Sequence, residues 1–370
     1  GDTNTITIIQ TGIGNSAGAN DSTLRINQDG RYNDITIDQL GWANTAGATI
    51  LSQPGAPAGI NQVGDRNVVE VVQDNLVDFG ANAIGAIFQS SLTGLTAVAN
   101  RLFVEQGSDG GDGSAGHEIG YVSQVNGADD LGTNVVRIFQ SGGVAGIGNA
   151  IERLIQQGHA NFVETNQSQQ GNLIGSGRQI GAGNELVAIQ GEGEDNTIRD
   201  VAQIGDLNRT RITQSGDRNY VDSVLQNNEG LAISGNRLVA IFAGDDNGGD
   251  GLGGAGAFRT AVAEAVGVYQ GSFTQIGDDN DIAFTVNGGS DNMFGVFQDG
   301  DGNGAIVTIS RAAGGTAPLA ERNEVAVFQE GDDNNLSIAI VGDDNVIGAT
   351  MRGERNRAAF SQEGDGNTID

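Results

Sequence analysis

The chain repeats one pattern of apolar and polar positions with a period of eleven residues. The pattern is clearest between residues 323 and 367, where each unit reads N-x-h-x-h-x-(Q/h)-x-G-x-x and h is an apolar residue. Positions two residues apart lie on one face of a strand, and the Gly-Asp segment that closes each unit is typical of a tight turn. Each unit is therefore predicted to form one short strand followed by one turn.

The same pattern runs through most of the sequence, in about 26 units of which a few are one residue longer. It is interrupted at 74–99, 107–120, 248–263 and 304–322, and these insertions are predicted to loop out from the repeats. A fixed internal period overrides the usual expectation of two or three globular domains for 370 residues. The sequence thus predicts a single repeat domain over residues 1–370.

Equivalent positions of successive units carry the same residue type, in the order Asn, apolar, apolar, Gln and Gly. A meander of hairpins does not need this identity, whereas units stacked on equivalent units bring like side chains into columns. We therefore predict an all-β fold, a parallel β-solenoid of the cross-β type with two strand-turn arcs of about 11 residues per coil. Two flat parallel sheets would face each other about 10 Å apart.

The Asn and Gln positions share the inward face with the apolar ones, so their amides need partners. A primary amide stacked at the strand spacing can bond the amides above and below it, and its remaining donor is expected to reach the turn backbone. These residues are interpreted as specifying the fold rather than binding a ligand. The predicted structural ladder consists of Asn4, Gln10, Asn15, Gln28, Asn33, Gln39, Asn44, Gln62, Asn67, Gln73, Gln140, Asn161, Gln167, Asn184, Gln190, Asn208, Gln214, Asn219, Gln275, Asn280, Asn292, Gln298, Asn323, Gln329, Asn334, Asn345, Asn356, Gln362 and Asn367.

The charge balance narrows the choice of partners. The chain has 18 basic and 47 acidic residues and a net charge of −29, and every basic residue is Arg. Such a surface repels nucleic acid and anionic membranes, so neither is an expected partner. No apolar run is long enough to cross a bilayer, and membrane insertion is not expected. The absence of cysteine excludes disulfides and thiol catalysis.

The sequence does not predict an enzyme, a cofactor or a metal site. Only His117 and His159 are available for histidine chemistry, and the absence of Lys excludes a phosphate-binding P-loop. Stacked acidic turns such as Asp332-Asp333 and Asp343-Asp344 would bring like charges close together. Solvated turns with Arg as a counter-charge are the favoured interpretation. Calcium binding at these turns is kept as an alternative, although their spacing fits no EF-hand.

The two ends of the sequence have the same phase of the repeat. Residues 1–6 have the same shape as residues 364–369, and the first residues show no basic, apolar leader, so a secreted protein would be in its mature form. An uncapped repeat end is an unpaired strand edge. We therefore expect one subunit to template the next in a head-to-tail fibre. The predicted subunit joint consists of Asn4, Ile6, Ile8, Asn367 and Ile369.

The pattern N-x-h-x-h-x-Q-x-G-x-x-N resembles the curlin repeat of curli subunits, the secreted bacterial proteins that form functional amyloid. Close matches are Gln10, Gly12 and Asn15, and Gln362, Gly364 and Asn367. The resemblance implies an extracellular fibre at the cell surface that gives a biofilm matrix cohesion and adhesion. It also implies an outer-membrane secretion pore and a nucleator subunit as partners.

The chain also departs from the curlin pattern. It is several times longer than a curlin with its typical five repeats, it carries large insertions and it lacks Lys. These departures leave open whether the chain is a major or an accessory subunit, and which secretion apparatus and nucleator serve it.

The main alternative is a monomeric extracellular β-solenoid that binds polysaccharide, calcium or ice and forms no fibre. A polysaccharide site needs acidic and aromatic residues clustered in one outward groove, and the sequence shows no such cluster. An ice-binding face needs a regular outward T-x-T column. Thr5 and Thr7 begin one, but Asp34 and Asp38 do not continue it.

Overall fold

The computed structural model describes the chain in thirteen segments, which are 3–18, 26–42, 44–48, 60–75, 82–91, 100–108, 116–125, 134–142, 148–191, 193–228, 234–248, 268–310 and 320–369. The chain divides into two compact units, Gly1–Glu185 and Leu186–Asp370. Within the described segments the regular structure consists of parallel β-strands without a helix. The predicted all-β class is therefore confirmed for this part of the chain.

The first unit contains a six-stranded parallel sheet. Its strands, in spatial order, are β1 (Thr5–Ile13), β4 (Asp34–Trp42), β7 (Val68–Asn75), β9 (Asn100–Ser108), β11 (Asn134–Ser141) and β13 (Phe162–Val163). The intervening strands pair among themselves, and they are β2 (Ser16–Ala17), β3 (Asn27–Asp29), β5 (Thr45–Ala48), β6 (Ile60–Val63), β8 (Ala83–Ser90), β10 (Glu118–Val125), β12 (Ala150–Gln157), β14 (Leu173–Gly175) and β15 (Arg178–Ile180). Consecutive repeats thus alternate between two sets of strands.

The second unit has three sets of parallel strands. A five-stranded sheet runs β20 (Arg237–Leu238), β22 (Asp281–Asn287), β24 (Gly304–Ser310), β27 (Asn335–Val341) and β30 (Arg357–Glu363). The second set is β16 (Thr197–Arg199), β17 (Val201–Gly205), β18 (Tyr220–Val221), β19 (Ser223–Asn228), β21 (Ser272–Ile276), β23 (Gly295–Asp299), β26 (Val327–Glu330) and β29 (Met351–Arg352). A three-stranded sheet contains β25 (Glu324–Val325), β28 (Val346–Ile347) and β31 (Thr368–Ile369).

The pairing register places equivalent residues of alternate repeats beside each other. In the second unit, β27 pairs with β30 so that Leu336 faces Ala358 and Ile338 faces Phe360, a separation of two eleven-residue units. Their inward positions form the core, in which Leu336 and Ile338 are almost fully buried. The period-two pattern therefore predicts which face is covered in these strands.

Many repeats of the intervening strands contain one extra residue, which the eleven-residue frame does not anticipate. Asn82 and Gln89 are seven residues apart, whereas Asn67 and Gln73 are six apart. The extra residue lies in the left-handed backbone region at equivalent places, at φ 52° in Ala86 and φ 65° in Tyr121. This local bulge keeps both amides on the inward face despite the longer spacing.

Glycine at the turn is required for close approach as well as for backbone conformation. Gly331 has a φ of +94°, and a Cβ at this position would collide with the carbonyl oxygen of Gly353 in the paired turn. Any L side chain would therefore be strained and would push the two turns apart. This explains why the turn glycine recurs with the period of the strands.

The bounds predicted for the insertions are too wide. Within 74–99, residues 83–90 form β8, and the strand pairs with β10, which itself begins within the predicted insertion 107–120. Within 304–322, residues 304–310 form β24 of the five-stranded sheet. Strands β8 and β24 have regularly spaced inward apolar residues, so the repeat continues through parts of the sequence that the eleven-residue pattern assigns to insertions. The rest of these insertions, including 249–263, lies largely outside the described residues.

Candidate functional site

The most regular chemical feature of the first unit is a column of glutamines in its six-stranded sheet. Gln39 Nε2 donates to Gln73 Oε1 at 2.6 Å, Gln73 to Gln106 at 3.0 Å, and Gln106 to Gln140 at 2.7 Å. Gln10 precedes this series and Gln167 follows it through bonds of the same kind. Each of these bonds joins two amides that the parallel register already places side by side. The column therefore favours in-register pairing over any shifted alignment.

Several glutamines use their second N–H differently from the expected contact with the turn backbone. Gln39 Nε2 donates to the backbone oxygen of Ser16 at 3.2 Å, and Gln62 Nε2 donates to that of Asp34 at 3.3 Å. Each acceptor belongs to the residue that directly follows the Asn of a repeat in the other set of strands. A glutamine side chain is long enough to cross the interior, so it joins the two sets of strands as well as stacking along its own column.

The asparagines form columns of a different kind. Asn33 Oδ1 accepts from the backbone N–H of Asn67 at 2.8 Å, and Asn4 Oδ1 accepts from that of Asn33 at 3.0 Å. The Asn33 Nδ2 group donates to the turn carbonyl of Gly64 at 2.7 Å. For asparagine, the expected contact with the turn backbone is therefore present. The acceptor is used by a backbone N–H rather than by the next side-chain amide alone.

The second unit keeps the asparagine columns but has glutamine in only part of its interior. Gln203, Gln226, Gln275, Gln298 and Gln329 form a series of side-chain bonds through β17, β19, β21, β23 and β26. In the five-stranded sheet, the corresponding column consists of Val286, Ile309, Ile340 and Gln362. The buried Oε1 of Gln362 has no hydrogen-bond partner within the described residues.

Four phenylalanines fill the interior beside this apolar column. Phe284 and Phe294 have ring centroids 4.4 Å apart, and Phe242 and Phe294 stack at 4.7 Å. Phe273 joins them at 5.3 Å from Phe294, and all four side chains are almost completely buried. Phe242 stands six residues after Asn236, at the glutamine position of its repeat, so the aromatic group replaces an amide there.

Most of the predicted ladder residues are buried, and the exceptions lie near sheet edges. Asn4 and Gln10 on or beside β1 are exposed, and Asn15, Gln28, Asn356 and Asn367 are partly exposed. The eleven-residue frame missed the members of the columns with the longer spacing, which are Asn82, Gln89, His117, Asn149, Gln156, Asn172, Gln179, Asn196, Gln203 and Gln226. A search for Asn and Gln seven residues apart would have found most of them.

A further column runs through the turns and uses aspartate. The backbone N–H of Asp278 donates to Asp301 Oδ1 at 2.8 Å, and that of Asp301 donates to Asp332 Oδ1 at 3.0 Å. In the same way, Asp343 N–H donates to Asp365 at 2.9 Å. The first acidic residue after the turn glycine thus caps a backbone donor of the paired turn. This gives the recurring Gly-Asp sequence a structural role.

Arginine balances part of the acidic charge at the next turn position. Arg218 makes two bonds to Asp246, at 2.7 and 2.8 Å, and Arg322 pairs with Asp344 at 2.9 and 3.0 Å. The hydrogen bond and the charge of Asp246 raise the pKa of Arg218. Each of these pairs is solvent-exposed, so we expect each to contribute little to stability.

Asp278 has no arginine partner of this kind among the described residues. Burial, followed by the charges of Asp301 and Asp279, raises the pKa of Asp278. No group of three or more His, Cys, Asp or Glu side chains suited to hold a metal ion occurs in the described segments. The described segments also contain no helix that is long and apolar enough to cross a membrane.

The outer strand β1 differs from the strands that it resembles. Ile6 and Ile8 are 46% and 42% exposed, whereas Ile35 and Ile37, their neighbours on β4, are fully buried. Ile9 and Ile13 on the same strand are also more than half exposed. β1 pairs with β4 on one side and is the outermost strand of its sheet. It therefore presents backbone donors and acceptors together with apolar side chains.

Comparisons with known proteins give no family or function for this chain. None of the models of known protein families matches the chain, and no curated protein is significantly similar to it.

Proposed function

We propose that the chain is a β-solenoid structural subunit that polymerises head-to-tail into a curli-like extracellular amyloid fibre. In this proposal the fibre belongs to a bacterial biofilm matrix and contributes cohesion and adhesion. The observation that carries the proposal is the set of in-register amide columns that run through parallel strands to an exposed apolar edge at β1. An edge of this kind is a template for another strand of matching pattern.

The alternation of the strands supports the proposed solenoid. Consecutive repeats enter different sets of strands, and repeats two units apart pair in parallel, as β24 does with β27 and β27 with β30. Glutamines connect the two sets in the first unit by donating across the interior. A coil made from two arcs accounts for both features. Each coil that is added to such a solenoid would bury one more residue in every column.

The joint is proposed to form between the predicted residues Asn4, Ile6 and Ile8 of one copy and the Asn367 and Ile369 end of another. The columns refine the register within this joint. Asn4 and Gln10 are six residues apart, as are Asn356 and Gln362. In-register stacking would therefore place β1 on β30 and Asn15 on Asn367, rather than Asn4 on Asn367.

Hydrogen-bond polarity supports this register. In the six-stranded sheet, each glutamine Nε2 donates to the glutamine of the next strand along the chain. Gln362 Nε2 donates to Val346 O at 3.3 Å and carries a second N–H, which could reach Gln10 Oε1 of an incoming copy. Asn356 Oδ1 could likewise accept from the backbone N–H of Asn4. The joint would then repeat the contacts found inside each unit.

The proposed location and partners rest on the resemblance to the curlin repeat. Export through an outer-membrane pore would deliver the chain unassembled, and a nucleator subunit would offer the first edge. The net charge of −29 would help to keep the separate chains soluble before they meet that edge. Neither a nucleic acid nor a cofactor is part of the proposal.

The joint can be tested by placing a charge on the β1 edge. The variant Ile8→Lys replaces an exposed isoleucine whose side chain would become buried in the joint, and the matched control Ile306→Lys replaces a 52%-exposed isoleucine on β24, within a sheet. Burial of one isoleucine is worth about 1.5–3 kcal/mol, so filament elongation by Ile8→Lys should slow by at least about tenfold. Elongation by Ile306→Lys should stay close to that of the unmodified chain.

The measurement is filament growth from preformed seeds, followed by electron microscopy and by sedimentation of the remaining soluble chain. Equal elongation by Ile8→Lys and by the unmodified chain would contradict a joint at β1. A pair of cysteines introduced at Thr7 and Ala359 gives an independent check, since the natural chain has none. The β1–β30 register brings these positions into pairing distance, and an intermolecular disulfide should form within filaments.

A further inference from the structure

His117 occupies a position that asparagine holds elsewhere in its column. The backbone N–H of Asn44 donates to Asn15 Oδ1, and that of Asn82 donates to Asn44 Oδ1. The next backbone N–H, from His117, donates to Asn82 Oδ1 at 3.0 Å. His117 then accepts through Nδ1 from the backbone N–H of Asn149 at 3.1 Å. An imidazole thus continues a series of amide acceptors.

Both ring nitrogens of His117 reproduce the contacts of an asparagine amide. Nε2 lies 3.2 Å from the backbone oxygen of Gly107, much as Asn82 Nδ2 donates to the backbone oxygen of Gln106 at 3.3 Å. A carbonyl oxygen only accepts, so Nε2 carries the proton. Nδ1 faces an N–H and must offer its lone pair. The site therefore fits the neutral imidazole protonated at Nε2.

Protonation would remove the acceptor on which this arrangement depends. A charged imidazole has an N–H at both nitrogens, so Nδ1 would direct a donor at the Asn149 donor. The side chain is fully buried, and the new charge would be held away from water. An amide in the same place cannot change in this way. His117 is thus the position of this column whose hydrogen bonding depends on pH near neutrality.

Charged groups on the surrounding strands bear on the strength of this effect. Arg101 and Glu105 on β9, Glu118 on β10, and Glu152 and Arg153 on β12 are exposed, and β8 has no charged residue. Asp74 on β7 is different, because its buried Oδ1 has no hydrogen-bond partner among the described residues and its residue pairs with Gly107. An ionised Asp74 would favour a charged imidazole. The variant Asp74→Asn therefore separates this influence from the hydrogen-bond geometry.

We propose that His117 is an acid-sensitive link in the asparagine column of the first unit, which loosens the contact between the His117 and Asn149 turns when its ring is protonated. The neutral form is selected by the fold, so its stabilisation is present above the ordinary titration range of histidine and is lost as the pH falls. The direct consequence is a weaker β10–β12 pairing in mildly acidic surroundings. This inference does not require that the chain form fibres.

The test is hydrogen–deuterium exchange on the full chain between pH 7.5 and 5.5, corrected for intrinsic exchange. In the unmodified chain, the opening equilibrium at residues 148–157 should rise by up to about tenfold per pH unit below about pH 6.5. His117→Asn, which gives the column its usual residue, should abolish this dependence. His159→Asn, which alters the other histidine, should retain it. A wild-type pH dependence equal to that of His117→Asn would overturn the proposal.

A second measurement does not depend on the folding of any variant. Nitrogen-15 spectra of the imidazoles in the unmodified chain report which ring nitrogen carries the proton. The proposal requires a neutral His117 ring with its proton on Nε2 at pH 7.5. A ring protonated at Nδ1, or at both nitrogens, at that pH would overturn it.

Discussion

The glutamine column of the first unit and the apolar column of the second unit occupy the same position of the repeat. The first joins Gln39, Gln73, Gln106 and Gln140 by bonds of 2.6 to 3.0 Å. The second contains Val286, Ile309 and Ile340 in the same pairing geometry. The repeat therefore accepts an amide or an aliphatic side chain at this position, and along most of each column the paired neighbours are of the same kind.

The difference shows two ways of stabilising one architecture. An amide column gives directional bonds that penalise a shift of register, since each buried donor or acceptor left unpaired costs about 1–3 kcal/mol. An apolar column gives burial without directional bonds, and the adjacent Phe242, Phe273, Phe284 and Phe294 supply additional contact area. An amide next to an aliphatic side chain in a column has neither the hydrogen bond of an amide pair nor the apolar contact of an aliphatic pair. Gln362 illustrates the mixed case, because it pairs with Ile340 and its Oε1 has no hydrogen-bond partner within the part of the chain that the structure describes.

The largest expected effect comes from the aromatic group of the second unit. Phe284 lies 4.4 Å from Phe294, 5.7 Å from Phe273 and 5.9 Å from Phe242, measured between ring centroids. Phe284→Ala should lower the free energy of unfolding by about 3–5 kcal/mol because it removes a buried ring from the core. Chemical denaturation followed by circular dichroism measures the loss. Phe103→Ala, which alters a half-buried ring, is the control and should have a smaller effect.

Breaking the amide column should cost almost as much. Gln106→Leu would leave Gln73 without its side-chain acceptor and Gln140 without its side-chain donor, so the free energy of unfolding should fall by about 2–4 kcal/mol. The same denaturation experiment applies. A loss as small as that of an exposed substitution would show that the glutamine bonds contribute little to the first unit.

The reverse exchange sharpens the comparison, because the apolar column contains two unlike sites for a new amide. Ile309→Gln would place an amide between Val286 and Ile340, and it should cost about 1–3 kcal/mol for its unpaired polar groups. Ile340→Gln would lie beside Gln362, whose Oε1 can accept a bond. It should therefore be less harmful by about 0.5–1.5 kcal/mol. Equal losses in the two variants would contradict the pairing rule.

The smallest expected effect concerns the acidic turns, which occur outside both columns. The pKa of Asp278 is raised from 3.8 by burial and then by Asp301 and Asp279, so its ionised form is disfavoured in the fold. Its contribution to stability therefore increases as the pH falls towards 3.8 and decreases as the pH rises. Asp278→Asn should slightly stabilise the second unit at pH 7 and should flatten this part of the pH dependence. Denaturation of both chains at several pH values between 7 and 4 measures the difference.

The strands and their inward faces could be predicted from the sequence because the repeat is periodic. Ile35 and Ile37 are fully buried, as their spacing within the repeat implies. The intervening strands were harder to find, since a residue such as Ala86 or Tyr121 enters the left-handed region and adds one to the spacing. An eleven-residue frame treats this bulge as a loss of pattern, although the strand continues through it.

The chemistry of the columns could be predicted only in part. The amide composition indicates hydrogen bonding, but the contact from Gln39 to the Ser16 backbone depends on how far apart the strand sets lie. The role of His117 could not be foreseen, because a lone histidine in a glycine-rich segment carries no sign of its column. Its position became clear only from the bonds to Asn82 and Asn149.

Electron microscopy of the purified full chain tests the central claim most directly. The account predicts unbranched filaments whose parallel strands repeat at about 4.8 Å along the filament axis. Chains that stay soluble and monomeric when preformed seeds are offered, under conditions in which they are folded, would contradict the proposed fibre.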